Sequence, residues 1–455
     1  MTAQVLRPVA EPFDLHGDHP LDVLGRWSRQ PDFLFHRRAG DDDLLTCAAF
    51  DRDEANTVHE GNGDDWPALV DRLAPARVDW DAGLPPFPGG LALFVAHDAP
   101  REATDPIPRF RLVVLRRFVL MDASRGRGWL VRLVGPEEDD GPVRDGLRAL
   151  LHGLRHDAPP HRATDRPGPW RRDTAREAYE PRVARVRQAI ADDRVRQVIL
   201  SIGLRKRAAC SPWQFFRRIV QVNPSPQAFF VRTPAFALAG SSPLSLVQAR
   251  GGRATVETDA GTRPVSADEA ANRRAEAELF ATPKDRHEQQ LIVDATLADL
   301  AAVADGPVAT TVPFEVRRFS HVMHLYTVFG CRIRAGVGPG ALLAALAPPP
   351  AVVGLPKAPA RALYETIEGT RRGPYGGIVA LVGCDGSVDA SVVLRSAWFV
   401  GGELRTRSGG GVVATSAATA EYDECLHKAQ AVFTAVALAE QDAGADPHAD
   451  EPAPD

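Results

Sequence analysis

Residues 419–433 read TAEYDECLHKAQAVF. At 100° per residue, Tyr422, Cys425, Leu426, Ala429, Val432, Phe433 and Val436 fall on one apolar arc, so this segment is a helix with one face in a core. Glu421 and Glu424 stand one turn apart at the border of that arc. Two explanations compete. A solvated helix flank would carry both acids, with Glu424 paired to Lys428 at i,i+4 for about 0.3–0.5 kcal/mol. A divalent-metal site would use both carboxylates as ligands.

A second helix bears on the choice. In TPKDRHEQQLIVDATLADL (282–300), Thr282 is the N-cap, Pro283 takes the first helical position, and Asp285 is the third residue of a capping box. Glu288 has no such role. The helical wheel sets it among Leu291, Ile292 and Ala295, on the arc expected to face the core. A buried carboxylate either becomes neutral or finds a cation. Two helices, each with an acid pair at i,i+3, can together clamp a hard cation such as Mg²⁺.

Composition narrows the classes around these helices. The chain has 455 residues, 44% of them hydrophobic, enough for a large core in one to three domains. Net charge is −5 and the basic residues are dispersed, which argues against nucleic acid. The five cysteines are odd in number and far apart, without zinc-site spacing, as expected of reduced cytosolic thiols. The N-terminal residues lack the apolar segment of a secretion signal, and no apolar run nears the roughly 18 residues of a membrane span. A soluble, cytoplasmic protein is expected, with no membrane partner.

An N-terminal subdomain is expected over 1–155, a polar, proline-rich linker over 156–173, a C-terminal portion over 174–440 and a disordered acidic tail over 441–455. Strand-like runs include GGLALFVAH, FRLVVLRRFVLMD, VRQVILSIGL, GGIVALVG and SVVLRSAWFV; a helix is expected over 175–193. Hairpin-like runs mixed with helices indicate an α+β fold with large antiparallel sheets.

KDRHEQQLIVD and SAATAEYDECLHKA resemble the two magnesium-binding helices of the chorismate-utilising enzymes, which include anthranilate synthase component I, aminodeoxychorismate synthase, isochorismate synthase and salicylate synthase. The likeness continues through AGSSPLSLV (239–247), DAGTRP (259–264), HVMH (321–324), RRGPYGGIVALV (371–382), VVLRSA (392–397) and SGGGVVATS (408–416). It implies an anthranilate synthase component I-like fold, with the sheets packed face to face and helices outside. It also implies chorismate as substrate and Mg²⁺ as cofactor.

Carried over residue by residue, the resemblance makes Glu288 and Glu424 metal ligands, with Glu421 and Asp285 supporting through water. Gly409, Gly410 and Gly411 match a loop whose N–H groups contact a substrate carboxylate; by themselves, three glycines would more simply be a hairpin turn. Arg395 and Tyr375 match the pair gripping the enolpyruvyl carboxylate, for which the planar guanidinium is suited. Lys428 matches a substrate-contacting lysine, Gly261 and Thr262 line the ring, and His324 matches a histidine near the enolpyruvyl ether.

Four positions bear on the reaction. Gln197 stands where water-using relatives have a lysine base, which resembles the ammonia-using members; a neutral amide cannot activate water as a base does. Ala260 stands where aminodeoxychorismate synthase has a nucleophilic lysine. Amination at C2 is therefore expected, giving 2-amino-2-deoxyisochorismate, or anthranilate if pyruvate follows. Ala351 stands where pyruvate-eliminating members carry threonine, whereas His324 favours elimination. Leu244 replaces the glutamate that protonates the departing C4 hydroxyl, a loss worth roughly 10²–10⁴ in rate. An isochorismate or salicylate synthase using water, and a chorismate-binding protein without turnover, remain the alternatives. With no amidotransferase segment, ammonia would come from a glutamine amidotransferase subunit or from solution.

Overall fold

The computed structural model describes residues 5–27, 30–39, 42–50, 55–73, 78–80, 83–84, 87–100, 102, 105–154, 167–318 and 322–444; the side chains at 39, 42–44, 262, 284 and 322 are outside that description. Two large sheets organise these residues, and every strand pairing within them is antiparallel. The first runs, edge to edge, through Arg7–Asp14, Arg127–Val134, Arg117–Asp122, Asp42–Ala49, Phe33–Ala39, Gln227–Arg232, Ala237–Ser242, Ser396–Val400, Glu403–Val412, Gln197–Arg207 and Gly354–Leu355. The second runs through Ala309–Arg318, Val322–Arg332, Arg253–Pro264, Ser245–Arg250, Val388–Val392, Ile378–Gly383, Gly90–Val95, Phe110–Leu115 and Thr57–Gly61.

The strands that face both ways read as continuous apolar runs. Gly90–Val95 and Ile378–Gly383 are buried throughout, so neither has a solvent side. One apolar cluster joins Phe35, Phe229 and Leu238 of the first sheet to Phe94, Val379 and Leu381 of the second, so the sheets meet face to face. Helices cover the outside. Trp213, Phe216, Val432 and Val436, from helices Pro212–Val222 and Ala418–Asp442, pack on the first sheet; Val293 and Leu300, from helix Pro283–Ala301, pack on the second.

The portions on either side of 156–173 share both sheets. Phe33–Ala39 pairs with Gln227–Arg232 in one sheet, and Gly90–Val95 with Ile378–Gly383 in the other, so residues 1–155 are woven into both sheets of the C-terminal portion. Most of the expected linker lies outside the described residues, but Arg171–Arg172 at its end pairs with Gln197–Arg207. The last helix continues to Asp442, past the expected start of the tail, and 445–455 lie outside the described residues.

The chain passes between the sheets twice at one place. Ala237–Ser242 of the first sheet leads directly into Ser245–Arg250 of the second, and Val388–Val392 of the second returns to Ser396–Val400 of the first. The two crossings are tied together: the Val392 amide donates to the Leu244 carbonyl at 3.1 Å, and the Ser241 amide to the Arg395 carbonyl at 3.3 Å. Arg395 holds φ at +46°, a conformation that side chains bearing a Cβ rarely adopt, and strain of this kind clusters at functional positions.

A charged network lies under the strands beside this crossing. Glu368 and Arg372 are each about 1% exposed. Glu368 accepts from the Ser201 amide and hydroxyl, both at 2.8 Å, and from two nitrogens of Arg372 at 2.8 and 3.0 Å. Arg372 also donates to the carbonyls of Val352 and Ile199, and Arg407 donates to the Ser201 hydroxyl at 2.9 Å. Burial pushes the Glu368 carboxyl up, but the two guanidinium groups and the Ser201 donors outweigh it, and the net displacement is downward.

Removing one member of such a network leaves buried charge without its partner, a loss of about 3–5 kcal/mol. Glu368→Gln should therefore lower the unfolding free energy measured in urea by that amount. Because the folded carboxyl lies below its unfolded value of about 4.3, its stabilisation is present above that value and lost as pH falls through the folded one. The deficit of Glu368→Gln relative to wild type should accordingly shrink when it is measured at progressively lower pH.

Candidate active site

The three glycines are not a turn. Gly409, Gly410 and Gly411 lie inside strand Glu403–Val412, opposite Ser201, Leu200 and Ile199. Strand alternation then sends neighbouring positions to opposite faces. A Cβ on Gly409 would stand 2.7 Å from the Tyr375 hydroxyl, and one on Gly411 2.6 Å from the Gln197 side-chain nitrogen. A Cβ on Gly410 would face the other way, 3.3 Å from a Glu421 oxygen and 3.6 Å from the Glu424 carboxylate. Glycine is needed here for close approach, since none of the three has a positive φ.

Helix Ala418–Asp442 thus brings Glu421 and Glu424 together over Gly410. Glu421 is buried at 3% exposure and Glu424 is half-buried. The i,i+4 pair is also present: Lys428 Nζ lies 2.6 Å from Glu424 Oε1 and donates to the Gly409 carbonyl at 3.2 Å. Desolvation pulls the Lys428 ammonium down, but the adjacent Glu424 carboxylate more than offsets it, so it stays protonated. Arg395 donates to the Lys428 carbonyl at 2.6 Å, which joins the strained crossing to this helix. Burial lowers the Arg395 guanidinium, opposed by Tyr375, Asp259 and Glu424, so all three are close enough to act on it electrostatically. Tyr375 is buried, and desolvation raises its phenol.

The other helix departs from expectation. Asp285 does not complete a capping box: Thr282 is the N-cap without a side-chain capping bond, and its hydroxyl donates to the Glu278 carbonyl. Asp285 instead accepts from Arg263 at 3.0 Å and is buried against Gly261, which has φ +64°. The inward face of Pro283–Ala301 carries Gln289, fully buried and donating to Thr258 and Thr327, while Glu288 beside it is half-buried. The wheel put Glu288 near the core centre. Gln289, the more easily desolvated neutral amide, takes that place.

Among the described residues no three His, Cys, Asp or Glu side chains form a metal-binding cluster. Glu421 and Glu424 converge, but Glu288 and Asp285 do not join them. Two carboxylates still suit Mg²⁺, which usually takes one or two from protein and completes its shell with water and an anionic substrate.

Leu244, 8% exposed, packs in the apolar core and lines a cleft with Ala351, Ile292, Thr296, Asp299, Glu257 and Asp259. His324 Nδ1 donates to the Gly261 carbonyl at 2.9 Å and stands 4.0 Å from Asp259 Oδ2. The side chain of Thr262 is outside the described residues. Gln197 is 3% exposed, and its Oε1 is buried without a hydrogen-bond partner among the described residues.

A chorismate binding enzyme family model matches residues 31–434. The chain belongs to the chorismate-binding enzymes. Anthranilate synthase component 1 of Pseudomonas putida is 32% identical over 381 residues, 79% of this chain and 77% of that protein. The Thermus thermophilus protein of the same name is 32% identical over 386 residues, 82% of each chain. Two solved structures share the fold. Anthranilate synthase component I from Streptococcus pneumoniae has a TM-score of 0.73 at 21% identity, covering 91% of this chain and 93% of that one. MenF, the menaquinone-specific isochorismate synthase from Escherichia coli, has 0.75 at 20% identity, covering 95% of each. Among the described residues no helix is long and apolar enough to cross a membrane.

Glu368, Arg372 and Asp259 were not among the predicted site residues. Glu368 and Arg372 do stand at i,i+4, a visible signal, but spacing alone does not distinguish a buried pair from a surface one.

The glycine strand offers a direct contrast. A Cβ at 409 would also lie 2.8 Å from the Leu200 carbonyl, which is backbone and cannot move aside, whereas the Gly410 contacts are with side-chain carboxylates. Gly409→Ala should lower the unfolding free energy measured in urea by about 1–3 kcal/mol, and Gly410→Ala by less. Equal losses would show that the strand accommodates both alike.

Proposed function

We propose that this chain is a Mg²⁺-dependent chorismate aminase of the anthranilate synthase component I type, adding ammonia at C2. The product is 2-amino-2-deoxyisochorismate, or anthranilate if pyruvate is then lost. Ammonia comes from a separate glutamine amidotransferase subunit or from solution. The observation that carries this assignment is Gln197. Its buried amide oxygen is an acceptor without a partner among the described residues, and its amide nitrogen faces Gly411 on the glycine strand. An orphaned buried acceptor costs about 1–3 kcal/mol, and an N–H of ammonia would satisfy it. A neutral amide can orient ammonia, which is already a nucleophile, but cannot deprotonate water.

The other groups fall into place around that step. Arg395, Tyr375 and Lys428 provide positive charge and a hydroxyl for the substrate's carboxylates. Glu424 and Glu421 would hold the metal, with water and the substrate completing its shell. Bound Mg²⁺ would supply positive charge for the ring carboxylate. Ala351 in the cleft, without a hydroxyl, favours release of the amino intermediate over pyruvate loss. A second possibility rests on Leu244: its apolar packing would suit a protein that binds chorismate without converting it.

The test is a product profile by mass spectrometry. The full chain is incubated with chorismate and Mg²⁺ at alkaline pH, with and without ammonium. An aminated product should form only with ammonium, and isochorismate formed without it would overturn the assignment. Glu424→Gln should weaken Mg²⁺-dependent chorismate binding at least about tenfold by calorimetry, or ~1.4 kcal/mol. Unchanged binding would leave Glu424 with only its ion pair to Lys428.

A further inference from the structure

The proposed reaction needs a proton for the C4 oxygen as it leaves, and Leu244 cannot give one. Three acids line the cleft that Leu244 occupies: Glu257, Asp259 and Asp299. Asp299 is engaged elsewhere, accepting from Lys357 at 2.8 Å. Glu257 faces the Tyr326 phenol, which burial and then the Glu257 charge raise. Asp259 is placed differently. Its carboxylate lies 4.0 Å from the His324 ring, on the same cleft wall as Thr258, and acts on the Arg395 guanidinium across the site. It is about one-quarter exposed.

His324 is held to suit this arrangement. Its Nδ1 donates to the Gly261 carbonyl, two residues beyond Asp259 on strand Arg253–Pro264. The ring and the carboxylate are thereby fixed to one stretch of backbone, and the positive φ of Gly261 turns that carbonyl at a β-irregularity between Ala260 and Arg263.

We propose that Asp259, which lies beside His324, is the general acid of this enzyme and donates its proton to the departing C4 hydroxyl in the cleft it shares with Leu244. The proposal rests on the amination assigned above. The C2–N bond forms as the C1=C2 pair shifts to C1=C6 and the C5=C6 pair to C4=C5. The C4–O bond breaks, and its oxygen leaves as water after taking the Asp259 proton. The ammonium formed at C2 then releases one proton, which restores the acid and closes the balance. Carboxyl groups at 244 and 259 are alternative ways to place one proton in one cleft, so the leucine reports a relocated acid instead of a lost one.

The experiment measures aminated product from chorismate, Mg²⁺ and ammonium with the full chain, alongside chorismate binding by calorimetry and urea midpoints. Asp259→Asn keeps the shape and removes the proton. It should lower kcat by roughly 10²–10⁴ while the chorismate Kd changes less than about threefold. Asp259→Glu should retain at least about a tenth of the wild-type kcat. Leu244→Glu added to Asp259→Asn should recover at least about tenfold of the lost kcat. An Asp259→Asn protein with kcat within about threefold of wild type, or one that loses binding in place of turnover, overturns the proposal and leaves the amination assignment standing. A wild-type chain that makes no aminated product overturns both.

Discussion

Everything at the candidate site hangs on one buried carboxylate between two guanidinium groups. Glu368 terminates helix Lys357–Glu368, and Arg372 begins the turn that leads to Tyr375. Through Ser201, the same carboxylate reaches the strand that pairs with the three glycines. Arg407, on the glycine strand itself, closes the ring. Four segments are thereby set at fixed distances by interactions that tolerate little displacement, because each donor or acceptor moved off its partner would be left unsatisfied in a low-dielectric interior. The Tyr375 hydroxyl can approach the Gly409 position because its turn is held from behind.

The support continues outward. Arg372 lies over the Tyr364 ring at 3.4 Å, and the Tyr364 hydroxyl donates to His97 Nε2 at 2.6 Å. Burial, and then Arg372, pull the His97 imidazole well below its ordinary value, so it is neutral and its Nδ1–H can donate to the Gly376 carbonyl. Gly376 follows Tyr375 directly. His97 and Asp98, which accepts from the Arg372 and Gly373 amides, belong to the N-terminal portion. That portion is therefore part of the active-site scaffold, as its strands are part of both sheets.

The fold class was legible because strand signals are local: alternation or apolar runs, bounded by turns, repeat along the chain. The helix Ala418–Asp442 was legible too, including the Glu424–Lys428 pair, since i,i+4 geometry needs no tertiary information. What spacing could not reveal was the depth of each face. Glu421, at the edge of the arc, is buried because the glycine strand has no side chain to hold it off; Glu288, near the centre of its arc, yields to Gln289, whose amide reaches Thr258 and Thr327. The pairing of N-terminal strands into both sheets was beyond spacing for a related reason. A proline-rich stretch marks a break in local structure, and says nothing about strands that pair across it.

Asp259 shows the same limit from the side of chemistry. A position-by-position comparison records Leu244 as the absence of an acid, because it follows one residue along one strand. The cleft brings together strands Ser245–Arg250 and Arg253–Pro264, so its proton-carrying capacity belongs to the surface they share and not to either position. Replacing a carboxylate by leucine makes that end of the cleft less polar and removes one proton carrier from it, leaving the carboxyl group at 259 to serve the same space. The apolar packing of Leu244 and the acid role of Asp259 are then two parts of one arrangement, in which the leucine contributes environment and the aspartate the proton.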